Sequence, residues 1–111
     1  MSLHCSTLQH VLAAILVSIP AMYAMPAQAE TFRVSINKLD YTPAEVKAKV
    51  GDTIEFINQD VLAHTATVRG DWDVMIPAKK SASVVIRRAG DVEYYCRFHP
   101  NMKGRISVSA N

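Results

Sequence analysis

The chain has 111 residues, with 12 Lys and Arg against 10 Asp and Glu and a formal net charge of +2. A charge this small and this mixed in sign gives no support for nucleic-acid binding, and no long basic run or nucleic-acid-binding motif is present. The length is that of one domain.

The first 29 residues have the features of an export signal. Residues 11–19 form an almost wholly apolar run, and a transmembrane helix needs about 20 apolar residues, so this run is too short to span a bilayer. The letters AQA at positions 27–29 fit the small-x-small pattern of a cleavage site. We therefore expect residues 1–29 to be a cleaved signal peptide and residues 30–111 to be one exported domain. A retained N-terminal anchor is the alternative, since the signal has no Lys or Arg.

The remainder of the chain has the alternating pattern of β-strands almost throughout. Turn residues such as Gly51-Asp52 and Ala89-Gly90-Asp91 separate the alternating segments, and no segment shows sustained helical periodicity. The predicted strands are, in chain order, TFRVSIN, AEVKAKV, TIEFIN, HTATV, SASVVIRR, DVEYYC and GRISVSA. About seven short strands predict an all-β, single-domain antiparallel β-sandwich. Residues 70–80 are the least regular and are predicted to be a loop with a short extra strand or a turn.

Cleavage before residue 30 would leave one cysteine, Cys96, in the exported domain. A single cysteine cannot form an internal disulfide in an oxidising compartment, and an exposed free thiol there is open to unwanted chemistry. Cys96 is therefore either buried and inert or held by a bound group.

Three soft donors lie in the loop between the last two predicted strands. Cys96, His99 and Met102 follow one another at intervals of three residues. Thiolate, imidazole and thioether suit a copper ion, which in such sites usually takes two histidines and one cysteine in a plane with a weak axial methionine. The second histidine must then come from elsewhere, and His64, at the start of a predicted strand, is the only other one in residues 30–111.

Each of these donors has a simpler explanation when it is taken alone. A lone cysteine is more often a buried apolar residue, a single methionine usually packs in the core, and a single histidine usually lies in a turn or on the surface. The combination of all four donors favours a metal site. Zinc is the rival ion, but structural zinc sites prefer four Cys or His ligands, so the methionine favours copper.

Two stretches resemble the cupredoxins, a family of type 1 blue copper proteins, in its amicyanin/plastocyanin-like branch. GDTIEFINQDVLAHTATV resembles the strand, loop and first histidine ligand of the family, and AGDVEYYCRFHPNMKGRISV resembles its C-terminal ligand loop and last strand. The short Cys-x-x-His-x-x-Met spacing is typical of amicyanin-like loops, whereas plastocyanins and azurins have longer ones. The resemblance covers Phe32 to Val108 and implies a cupredoxin-like Greek-key β-sandwich.

The resemblance also implies a site and a function. It implies one type 1 copper ion with His64, Cys96 and His99 as equatorial ligands and Met102 as the weak axial ligand. It implies a monomeric carrier of single electrons in the periplasm, whose redox partner is a dehydrogenase, a c-type cytochrome or an oxidase. It implies no enzyme, because copper catalysis would need further histidine ligands. Copper delivery or storage is the alternative function, since the same ligands could serve it.

The chain departs from the family pattern at two positions near the ligands. Thr65 follows the first histidine where relatives often have Asn, and its hydroxyl is expected to link the two ligand segments. Phe98 stands where amicyanin-like loops usually have Pro, and its N–H could donate to the cysteine sulfur. The basic residues Arg97, Lys103 and Arg105 are either ordinary solvated charges or a rim that attracts an acidic partner.

Overall fold

The computed structural model describes residues 2, 12–23 and 28–111. All of its regular structure lies between residues 31 and 109, as nine β-strands. Within the described ranges no helix is long and apolar enough to cross a membrane. The predicted cleavage site at residues 27–29 lies partly outside the described residues.

The strands alternate between inward and outward side chains, as the period of two along a strand requires. In chain order they are β1 (Thr31–Asn37), β2 (Asp40–Thr42), β3 (Glu45–Lys49), β4 (Thr53–Asn58), β5 (His64–Val68), β6 (Trp72–Ile76), β7 (Ser81–Val85), β8 (Gly90–Tyr95) and β9 (Lys103–Ser109). They form a four-stranded sheet in the order β2-β1-β4-β7 and a five-stranded sheet in the order β3-β9-β8-β5-β6. The prediction of an all-β sandwich is confirmed.

The structure corrects two details of that prediction. There are nine strands instead of about seven. β2 has only three residues, too few to show alternation, whereas β6 is the short extra strand predicted as one possibility for the irregular segment 70–80. The sandwich is also not wholly antiparallel, since β1 pairs with β4 and β3 pairs with β9 in parallel. Parallel neighbours must be joined by a crossover connection, which leaves no mark on the alternation within a single strand.

The core lies between the two sheets. Val34 and Ile36 from β1 and Ile54 and Phe56 from β4 are fully buried, as is Ile106 from β9 of the opposite sheet. Burying each such side chain contributes roughly 1.5–3 kcal/mol. The alternating pattern therefore defines the inner faces that hold the sheets together.

Tyr94 lies at the centre of an aromatic cluster near the end of β8. Its ring centroid is 4.7 Å from that of Tyr41, 5.4 Å from that of Phe56 and 6.1 Å from that of Trp72. The contacts with Tyr41 and Phe56 are edge-to-face, an arrangement worth about 0.5–1.5 kcal/mol each beyond simple burial. Burial raises the pKa of Tyr94, which keeps the phenol neutral. The cluster anchors β8 two residues before Cys96.

The packing around Tyr94 predicts that Gly104→Ala destabilises the protein. Gly104 on β9 is paired with Tyr94, and a Cβ at this position would lie 2.6 Å from Tyr94 Cε1 and closer still to Cζ and the hydroxyl oxygen. Overpacking of a dense core costs about 1–3 kcal/mol, occasionally more. We expect the free energy of unfolding, measured by denaturant titration, to fall by at least this amount.

Tyr94→Phe is the matched control for this experiment. The Tyr94 hydroxyl finds no hydrogen-bond partner among the described side chains and backbone, so its removal should be nearly neutral. The double variant with Gly104→Ala should recover part of the lost stability, because the hydroxyl is one of the clashing atoms. An unchanged unfolding midpoint in Gly104→Ala would contradict the described packing.

Candidate metal centre

The four predicted donors come from two neighbouring parts of the five-stranded sheet. His64 is the first residue of β5, and Cys96, His99 and Met102 lie in the loop that joins β8 to β9. Because β5 and β8 are adjacent and antiparallel, the start of β5 and the end of β8 meet at the same end of the sandwich. The sheet thus brings together residues that are 32 positions apart in the chain.

Three of the donors converge on one point. The ligand atoms of His64, Cys96 and His99 all lie within 4.8 Å of one another. Cys96 Sγ is 3.7 Å from His64 Nδ1 and 3.8 Å from His99 Nδ1. Donor bonds of about 2.0–2.3 Å spread at about 120° place a sulfur and a nitrogen about 3.7 Å apart. The separations therefore suit a single ion bound between the three groups in a trigonal arrangement.

The loop that carries the donors is closed by its own backbone. Cys96 N–H donates to the Met102 carbonyl at 3.2 Å, and Met102 N–H donates to the His99 carbonyl at 2.8 Å. His64 and Cys96 are fully buried and Met102 is nearly so, whereas His99 is partly exposed. The site is therefore shielded from water on all sides except at His99.

Asp60 orients the imidazole of His64. The Asp60 Oδ2 atom lies 2.8 Å from His64 Nε2, while Nδ1 faces the Cys96 sulfur. A carboxylate at Nε2 accepts a hydrogen bond from the ring N–H there, so the proton stays on Nε2 and the lone pair of Nδ1 is free to bind a metal. Asp60 was not predicted from the sequence, although a carboxylate four residues before a predicted histidine ligand is a usable signal.

The carboxylate of Asp60 is itself held by the backbone. It accepts N–H groups from Lys38 at 2.7 Å and from Leu39 at 3.1 Å. Burial raises the pKa of Asp60, but these two hydrogen bonds and the His64 contact outweigh it, so that the pKa lies below its usual range. Asp60 is therefore ionised at neutral pH and accepts the hydrogen bond from His64.

Thr65 links the two ligand segments, as its position after His64 predicted. Its N–H donates to Cys96 Sγ at 3.4 Å, and its hydroxyl oxygen accepts the N–H of Arg97 at 2.9 Å. The expected donation from the Phe98 N–H to the sulfur is not among the hydrogen bonds of the described residues; Thr65 supplies the N–H donor there. The Phe98 side chain lies beside Arg97, whose Cζ atom is 5.4 Å from the centroid of the Phe98 ring.

Two of the three basic residues near the loop are paired with acids. Arg97 Nε lies 3.1 Å from Asp73 Oδ1, and Lys103 Nζ lies 3.8 Å from Glu93 Oε1. The rim is therefore less basic than the run of cations in the sequence predicted.

A two-sheet β-sandwich with two imidazoles and a thiol converging at one end defines a copper protein of the type 1 class. A family model described as the cupredoxin-like domain matches residues 9–108, so the chain belongs to the cupredoxin family. The methylamine utilization protein MauL of Methylorubrum extorquens is 32% identical over 93 residues, which are 79% of this chain and 82% of that relative. Amicyanin of Paracoccus denitrificans is 33% identical over 82 residues, which are 68% of this chain and 63% of that relative.

Solved structures agree with this assignment. The crystal structure of amicyanin from Paracoccus versutus is 29% identical with a TM-score of 0.63, over 77% of this chain and 85% of that one. A reduced amicyanin variant is 31% identical with a TM-score of 0.62, over 71% of this chain and 82% of that one. These matches confirm the cupredoxin fold and the prediction of copper as the cofactor, for which His64, Cys96, His99 and Met102 form a type 1 copper-like site.

The hydrogen bond to His64 predicts that Asp60→Asn weakens copper binding. Asparagine retains an acceptor oxygen but loses the charge that favours the proton on Nε2. Removal of such a partner of a metal-binding histidine typically costs about 10–100-fold in affinity. Copper affinity, measured by competition with a chelator, should therefore decrease by a factor within this range.

Asp71→Asn is the control for charge, since Asp71 is an exposed acid in the turn between β5 and β6. It should leave copper affinity unchanged. Equal affinities for Asp60→Asn and the parent protein would show that the Asp60 carboxylate does not act on the ligand.

Proposed function

We propose that this chain carries single electrons between periplasmic redox partners as a type 1 copper protein. In this proposal His64, Cys96 and His99 would supply the three strong ligands of the ion and Met102 would supply a weaker fourth. The observation that carries the proposal is the convergence of two imidazoles and one thiol within 4.8 Å at one end of the sandwich. Bound copper supplies a one-electron couple between Cu(I) and Cu(II).

The protein contributes a set of donors that is held in place before binding. His64 is held by β5 and by Asp60, and Cys96 is held by the closed backbone of its loop. The Thr65 N–H stabilises negative charge on the Cys96 sulfur, which loses its proton when it binds a metal. Because these supports do not depend on the charge of the ion, the donors need not rearrange when that charge changes by one.

The partly exposed His99 is the proposed route for the electron. Exposed apolar side chains lie in or next to the segments that carry the donors, namely Val61, Leu62 and Phe98. Clustered exposed apolar residues often mark a surface that contacts another protein. A redox partner such as a dehydrogenase, a c-type cytochrome or an oxidase would dock here, with His99 between it and the metal.

Burial of the donors favours electron transfer over copper delivery. A delivery protein must pass its ion to the ligands of another protein, whereas His64 and Cys96 have no exposed surface. Catalysis by additional copper ions would need further histidines, and residues 30–111 contain only two. We therefore propose a carrier and not an enzyme.

Addition of Cu(II) to residues 30–111 is expected to give an intense blue thiolate-to-copper absorption band that disappears on reduction. Cys96→Ser should abolish the band, because the band requires the thiolate. Met102→Leu should keep the blue colour but shift the reduction potential, since the axial ligand tunes it.

Met75→Leu is the control for loss of a thioether, because Met75 is half-exposed on β6, a strand that carries none of the four donors. It should leave the band and the potential unchanged. A colourless, weakly bound Cu(II) complex of the parent protein, together with rapid copper transfer to a chelator, would contradict the carrier proposal and favour delivery.

We also propose that residues 1–29 are removed on export. Support for this boundary comes from the first strand, which begins at Thr31, and from Glu30, whose backbone N–H donates to the buried Asp52 carboxylate at 2.8 Å. The Glu30 hydrogen bond is the largest cause that holds the pKa of Asp52 below its usual range. After cleavage the Glu30 nitrogen would be a charged amine beside this ionised carboxylate, a favourable pairing.

Protein recovered from the periplasmic fraction of an expressing bacterium is therefore expected to begin at Glu30. Intact-mass measurement and N-terminal sequencing check this directly. A periplasmic or membrane-bound product that retains residues 1–29 would contradict the cleavage and support an N-terminal anchor.

A further inference from the structure

Four residues form a closed ring of polar contacts beside the ligand loop, through three threonine and aspartate side chains and both the main chain and the side chain of an arginine. Arg97 N–H donates to Thr65 Oγ1 at 2.9 Å, and Thr65 Oγ1 lies 3.0 Å from Thr67 Oγ1. Thr67 Oγ1 donates to Asp73 Oδ1 at 2.6 Å, and Arg97 Nε donates to the same oxygen at 3.1 Å. We refer to Thr65, Thr67, Asp73 and Arg97 as the polar ring.

The polar ring joins three separate segments of the chain. Thr65 and Thr67 lie on β5, Asp73 lies on β6 directly opposite Thr67, and Arg97 is the first residue after Cys96. The ring therefore holds both the main chain and the side chain of Arg97. Since Thr65 also donates its N–H to the Cys96 sulfur, the ring and the thiol share one anchoring residue.

The chemistry of the groups fixes the direction of every hydrogen bond in the ring. Asp73 can only accept, so the Thr67 hydroxyl hydrogen points to it. The Thr67 oxygen must then accept from the Thr65 hydroxyl, and the Thr65 oxygen is left to accept the Arg97 N–H. Each hydroxyl donates once and accepts once, and the Asp73 carboxylate sets the direction of all the hydrogen bonds in the ring.

We propose that Asp73 is a positioning residue that fixes the Cys96 sulfur before metal binds. It acts from two sides, through Thr67 and Thr65 on the Arg97 main chain and through an ion pair on the Arg97 side chain. Asp73 is half-exposed and is not one of the clustered donors. Arg97 in this proposal is a clamp on the ligand loop and not a cation that attracts a partner.

The first test follows the reactivity of Cys96 in the metal-free full-length chain. Thr67→Val keeps the shape of the side chain but removes the hydroxyl, so it breaks the ring without changing charge. Loss of one net hydrogen-bond contribution corresponds to about a two- to tenfold change in an opening equilibrium. The rate of iodoacetamide labelling of the Cys96 peptide, followed by mass spectrometry, should rise by this factor in Thr67→Val and in Asp73→Asn.

Two variants control for other causes. Thr67→Ser restores the hydroxyl and should return the labelling rate to that of the parent protein. Asp71→Asn removes an acid from the same hairpin and should leave the rate unchanged. Equal rates in Thr67→Val and the parent, or a failure of Thr67→Ser to restore the slow rate, would overturn the proposal.

The second test uses the copper-loaded protein, and this part rests on the proposed function. Thr67→Val and Asp73→Asn should alter the thiolate-to-copper band and the reduction potential, whereas Thr67→Ser and Asp71→Asn should not. Variants that lose only stability, with an unchanged band, potential and labelling rate, would show that the ring is merely structural and would overturn the proposal. If the parent protein forms no blue complex, the proposed function fails, while the labelling series still decides the role of the ring.

Discussion

The structure of the site depends on the adjacency of β5 and β8 in the five-stranded sheet. Thr67 and Tyr95 are paired across these strands, which places the start of β5 beside the loop that follows β8. The hydrogen bond from the Thr65 N–H to the Cys96 sulfur crosses the same boundary. A backbone ladder stabilised by the core thus positions a thiol and an imidazole that no local contact could bring together.

The donors are surrounded by a layer of polar groups that hold them in place. Asp60 holds His64 from one side and is itself held by two backbone N–H groups, while Thr65 holds Cys96 from the other. Buried polar groups are costly unless they are paired, and here each pairing also orients a donor. The low exposure of the site and its preset geometry therefore have the same physical origin.

Much of this arrangement could be predicted from the sequence, but not all of it. The three-residue spacing in the ligand loop and the lone remaining histidine predicted a donor set of which His64, Cys96 and His99 do lie together, and alternation predicted about seven strands. The short β2, the parallel pairing of β1 with β4, and the role of Asp60 were missed. Each depends on where a segment lies in space, and strand alternation reports only which face of a strand a side chain occupies.

The sequence by itself determined the composition of the site and the class of fold, because donor chemistry and side-chain alternation are local properties of the chain. Only the tertiary structure decided how the donors are held. The sequence offered the Phe98 N–H as a possible further donor to the sulfur, but the N–H that donates to it is that of Thr65, and Arg97 is engaged by Asp73 from a different strand. Hydrogen bonds between residues that are 31 and 24 positions apart depend on strand order and register, which the packing of the two sheets selects.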